Sequence, residues 1–131
     1  MALLMEFDTR NNILRLTIDG PLNDATILDV FETAIRYRSS HPPCRSIADI
    51  SKATLNEVSI EAIREMAKTP VPAAESARII VAPKDHSYAM ARMFQIYSEK
   101  TCPNFHVVHT MEEAYHLLGV ESPEFSPVDP E

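Results

Sequence analysis

The stretch "CRSIADISKATLNEVSIEAIREMAKT", Cys44–Thr69, decides the fold class. Its opening, "CRSIADI", is short, largely apolar and rich in isoleucine, which predicts a β-strand. Its second half, "SIEAIREMAKT", sets Ile60, Ile63 and Ala67 at helical spacing, with charged residues between them. That spacing predicts a short amphipathic helix, ended by Pro70 because proline supplies no amide donor. A strand that feeds a helix is the unit from which α/β domains are built.

The same unit returns twice downstream. "ARIIVA" (77–82) is nearly all apolar and predicts a central strand covered on both faces. A helix over 85–100 follows it. "FHVVH" (105–109) predicts a fifth strand, and Thr110 opens a last helix. Thr110 and Glu113 have capping-box spacing, and Gly119 stands where a helix C-cap glycine belongs.

Upstream, two alternating runs, Leu3/Met5/Phe7 and Leu14/Leu16/Ile18, flank the polar turn "TRNN" and predict an antiparallel hairpin. "GPLNDAT" ends the second strand. Asn23 or Asp24 then caps a helix carrying Ile27, Leu28, Phe31, Ala34 and Ile35 on one side, which ends near "SSHPP". The order is β-β-α-β-α-β-α-β-α: one α/β domain over residues 1–120, with a mixed five-stranded sheet and about four helices. Residues 121–131 carry three prolines and four acidic residues, which predicts a mobile acidic tail.

Composition narrows the function. The chain has 131 residues, 45% hydrophobic and 24% charged, with a formal net charge of -7. That charge, with no basic cluster, argues against nucleic acid and anionic lipid as partners. No apolar run reaches the roughly 18 residues of a membrane span. The start "MALLMEFDTR" has no basic segment or cleavage signal, and a reducing cytoplasm is the expected location. Cys44 and Cys102 have no metal-ligand spacing and are expected to be buried free thiols.

Motifs for catalysis are missing. With only two glycines, Gly20 and Gly119, neither a Walker loop nor a dinucleotide fingerprint is present. The five histidines form no HExxH, and no serine has a GxSxG context. We expect no metal, no cofactor and no enzyme activity. The helix "DHSYAMARMFQIYSEK" has an unusually broad apolar arc. Met90, Met93, Phe94 and Tyr97 on it are candidates for a homodimer or ligand face, since methionines adapt to irregular surfaces.

The order of elements, with "ILRLTIDGPLNDAT", "DIS" followed by Ser59, "ARIIVA" and "FHVVHTMEEAYHLL", resembles the STAS domain of anti-sigma factor antagonists. "VAPKDHSYAMARMFQ" is closer to its divergent, SpoIIAA-like branch of stand-alone bacterial proteins. The resemblance covers most of residues 5–120. It implies a non-enzymatic regulatory, signalling domain that binds a protein partner, such as an anti-sigma factor or serine kinase. It also implies that Ser59 stands at the family's phosphoacceptor place. The family motif Asp-Ser-Ser-Gly is here Glu57-Val58-Ser59-Ile60, so the acceptor is kept and its neighbours are not. The corresponding partner surface comprises Asp49, Ser51, Thr54, Glu57, Ser59, Ile60 and Ile63.

Two readings follow for Ser59. As a plain N-cap it is worth about 1 kcal/mol. As a switch, its phosphate would bring about 1.5 to 2 negative charges to a helix N-terminus between Glu57 and Glu61. A reading from another class is a sensor for a small molecule or lipid. It calls for an apolar cavity between the sheet and the long helix, lined by Met90, Met93 and Phe94.

Overall fold

The centre of the molecule is a long parallel pair, β2 (Ile13–Asn23) and β3 (Arg45–Glu57), seen in a computed structural model that describes residues 2–129. β1 (Ala2–Asp8) forms the expected antiparallel hairpin with β2. α1 (Asp24–Ser39) carries the chain from β2 to β3, and α2 (Ile60–Lys68) from β3 to β4 (Arg78–Val81). α3 (Asp85–Tyr97) leads to β5 (Phe105–Val108), and α4 (Met111–Leu118) leads to β6 (Ser126–Pro127). The sheet order is β5-β4-β3-β2-β1-β6, mixed, with four helices.

Three features differ from the sequence reading. Both β2 and β3 run past their expected ends. Residues 51–57, beyond the predicted strand "CRSIADI", continue β3, with Ala53 and Leu55 buried between exposed Lys52, Thr54 and Asn56. That is a period-two pattern of a strand with one covered face. "GP" does not stop β2 because register shifts flank it, between Thr17 and Asp19 and between Pro21 and Asn23. Gly20 takes a φ of 97° there, in the left-handed region that glycine enters at no steric cost. Pro21 lies past the last β1–β2 partners, Ala2 and Asp19, at an edge position where a missing amide is tolerated. The long helix also ends earlier than expected, at Tyr97.

The sheet has six strands, not five, because the acidic C-terminal segment supplies β6. Val128 N donates to Met5 O at 2.9 Å, and Phe125 stacks with Tyr115 under the Arg15 guanidinium, 4.0 Å from its ring centroid. Asp8, only 1% exposed, ties this segment to the hairpin turn. Its carboxylate accepts from Arg10 N, Asn11 N, Asn11 Nδ2 and Glu124 N at 2.7–3.1 Å. Burial alone would raise the Asp8 pKa, but these hydrogen bonds, led by the Asn11 side chain, overcome it and hold it below the ordinary value.

The helices divide between the two faces. α1, α2 and α3 share one core with Ile18, Ile50 and Leu55, through Phe31, Ile63, Met66, Met90 and Phe94. α4 covers Ile13, Ile47, Ile79 and Val81 on the other face through Ala114. The caps follow the sequence. Asn23 and Thr26 satisfy each other's amides at the start of α1, and Gly119 ends α4 at φ 69°. Thr110 accepts from Glu113 N as expected, although the Glu113 carboxylate bonds the Thr110 hydroxyl. Both cysteines are buried and free.

Candidate functional site

Three helices on one face of the sheet do not close completely. Between them and the sheet lies an apolar cavity of about 110 Å³. Its floor includes Ala48 and Ile80, directly paired residues of β3 and β4. Both keep accessible surface although their strands are interior. Phe31 from α1, Ile63 and Met66 from α2, and Met90 and Phe94 from α3 form walls and roof. Of the three residues expected to line such a space, Met90 and Phe94 do. Met93 is half-buried elsewhere, and Tyr97 is 41% exposed and lies under the Arg64 guanidinium.

One end of the cavity is cationic. Arg38 is only 6% exposed, and it lines the cavity together with Ser46 and Arg78. Its Nη1 donates to Ser46 Oγ at 3.0 Å, and its Nη2 donates to Cys44 O at 2.9 Å and Ala73 O at 3.4 Å. Its Nε is buried and has no acceptor. Arg78 stands on β4 directly opposite Ser46. It meets only a long contact to Cys102 Sγ at 3.8 Å and the Phe105 ring. Among the described residues neither arginine meets a carboxylate; the ion pair present is Arg15 with Glu6. Burial, then the charge of Arg78, pushes the Arg38 pKa down. Unpaired buried cations are costly, which sets this end of the cavity apart.

The sequence reading missed both arginines. Arg38 could have been found. It lies seven residues after Phe31 and four after Ala34, on the inward stripe of α1, where a charge is out of place. Arg78 carries no such signal, since a charge at the first residue of a strand is ordinary.

Ser59 is the N-cap of α2, accepting from Ala62 N at 3.1 Å. It also makes a contact no spacing could reveal. Its hydroxyl donates to Asp24 Oδ2 at 2.7 Å and its amide to Asp24 Oδ1 at 2.6 Å. Asp24 is the first residue of α1, so this two-point clamp joins the N-termini of two helices that roof the cavity. The Ser59 hydroxyl, then its amide, lowers the Asp24 pKa.

The other residues of the expected partner surface lie on β3 and on the first turn of α2. Asp49, Ser51, Thr54 and Glu57 belong to β3, and Asp49 Oδ1 accepts from Ser51 N at 3.0 Å. Thr54, Glu57 and Ile60 are exposed, and Ile60 at 45% points outward rather than into the core. Ile63 is 3% exposed and lines the cavity, so it belongs to the interior. Among the described residues, no three His, Cys, Asp or Glu side chains are grouped to hold a metal ion. No described helix is long and apolar enough to cross a membrane. Compared with known proteins, the chain matches no protein-family model and no curated protein.

Proposed function

We propose that this chain is a non-catalytic regulatory binding domain, STAS-like in its order of elements, whose helical layer receives a small apolar ligand. The observation that carries this reading is the cavity of about 110 Å³ over Ala48 and Ile80, apolar except for its arginine end. It is somewhat smaller than the roughly 150 Å³ that accepts benzene. Binding there orders the contacts among α1, α2 and α3, which changes the surface those helices present to a protein partner. The test is a methyl NMR titration with benzene. Shifts confined to Ile63, Met90, Ala48 and their neighbours support the proposal. A spectrum unchanged up to benzene saturation refutes it.

The Asp24–Ser59 clamp favours a second reading, compatible with the first: regulation by phosphorylation of Ser59 in a cytoplasmic signalling protein. A phosphate on that hydroxyl removes the proton donated to Asp24 and sets two anions against each other. The clamp opens, and the starts of α1 and α2 separate. Phosphosite mapping on protein isolated from its own cells tests this reading. Ser59 found unmodified under every growth condition would sink it.

A further inference from the structure

We propose that the pocket selects a small apolar monocarboxylate, held by the Arg38 guanidinium with Arg78 beside it. The inference rests on the ligand-pocket reading and adds the chemistry of the ligand's polar end. A guanidinium has five N–H donors and no acceptor. Three donor contacts from Arg38 go to Ser46, Cys44 and Ala73, and Nε remains buried without a partner. Buried polar groups are nearly always satisfied, and this orphaned one belongs to a side chain that lines the cavity. The missing partner is an acceptor, because Nε can only donate.

The partner is also an anion. Two guanidiniums line the same space and, among the described residues, neither meets a carboxylate, in a chain whose net charge is -7. Acidic residues are plentiful in the sequence, yet no described one lines the cavity. A carboxylate fits better than a phosphate ester. A phosphate has three terminal oxygens and about 1.5 to 2 charges to satisfy. The lining offers two guanidiniums and one serine hydroxyl, whose oxygen already accepts from Arg38. The remaining lining is aliphatic or aromatic, which sets the rest of the ligand as an uncharged hydrocarbon no larger than a benzene ring.

Calorimetry with benzoate, benzyl alcohol and phenyl phosphate separates the outcomes. Benzoate is expected to bind about tenfold or more tighter than benzyl alcohol, the gain of a charge-assisted hydrogen bond over a neutral one. Phenyl phosphate is expected to be weaker than benzoate. Arg38→Met is expected to erase the preference for benzoate while benzyl alcohol still binds. If that variant does not fold, Arg78→Gln gives the second reading, with a smaller loss of the same preference. In the wild type the benzoate advantage should also vanish as the ligand is protonated, below about pH 4. Benzyl alcohol binding as tightly as benzoate, or phenyl phosphate binding best, overturns the carboxylate inference and leaves the pocket. Failure of all three to bind overturns the pocket reading itself.

Discussion

Two alanines of β3 should respond to the same substitution with opposite signs. Ala48 lines the cavity, and Ala53 is fully buried in the core that the three helices share. At about 24 cal/mol per Å³, a void of 110 Å³ corresponds to about 2.6 kcal/mol of packing left unmade. Ala48→Val adds two carbons over the floor, beside its register partner Ile80, in a strand where β-branched residues are favoured. At about 0.8 kcal/mol per buried carbon, it should stabilise by about 1.5 kcal/mol. For a chain of this length that is a rise in Tm of about 5–8 °C. Ala53→Val has no void to fill and should cost about 1–3 kcal/mol through overpacking. The assay is urea denaturation of both variants, with m-values compared to confirm that only stability changed. Ala48→Val should also lose the benzoate response, which in the wild type reaches about 2.7 kcal/mol at a hundredfold excess over Kd. A destabilised Ala48→Val would refute the reasoning, because it would mean that the space over Ala48 is already filled.

Three further outcomes follow from the geometry. Asp8→Asn should destabilise by about 1–3 kcal/mol at pH 7, because the carboxylate serves four donors. The folded pKa is lowered, so this stability is present above the unfolded value of about 3.9 and is lost as pH falls through the folded value. Denaturation curves of variant and wild type should therefore converge in acid, and a constant gap would contradict the assignment. Ser59→Ala should raise the Asp24 pKa part of the way to its ordinary value, since the hydroxyl bond is lost and the amide bond stays. Carboxyl NMR titration reads this directly, and an unmoved Asp24 would show that the clamp does not persist in solution. Phe125→Ala should cost about 1–2 kcal/mol by removing the ring under Arg15, and should speed hydrogen exchange at the Val128 amide. Unchanged exchange there would mean that β6 does not depend on that anchor.

Sequence by itself determined whatever depends on neighbours along the chain. The hairpin, the strand–helix alternation, a cap at Asn23 or Asp24, the caps at Ser59 and Thr110, and the C-cap at Gly119 all rest on contacts within a few residues. Each of these signals is local, and the tertiary structure did not reverse it. The extension of β3 was legible too, in the alternation of Ala53 and Leu55 with polar residues, but the polar run around them hid it. Tertiary structure alone decided three matters. It placed β6 against β1, because one aromatic ring and one valine suffice when a prepared surface of Tyr115, Arg15 and Met5 awaits them. It set Asp24 against Ser59 across 35 positions of sequence. Last, it brought Arg38 and Arg78 to one end of an apolar space. Side-chain spacing records which face of a helix a residue occupies. Whether that face meets a matching surface, a carboxylate or a gap depends on how three helices settle over a twisted sheet, and no local pattern carries that information.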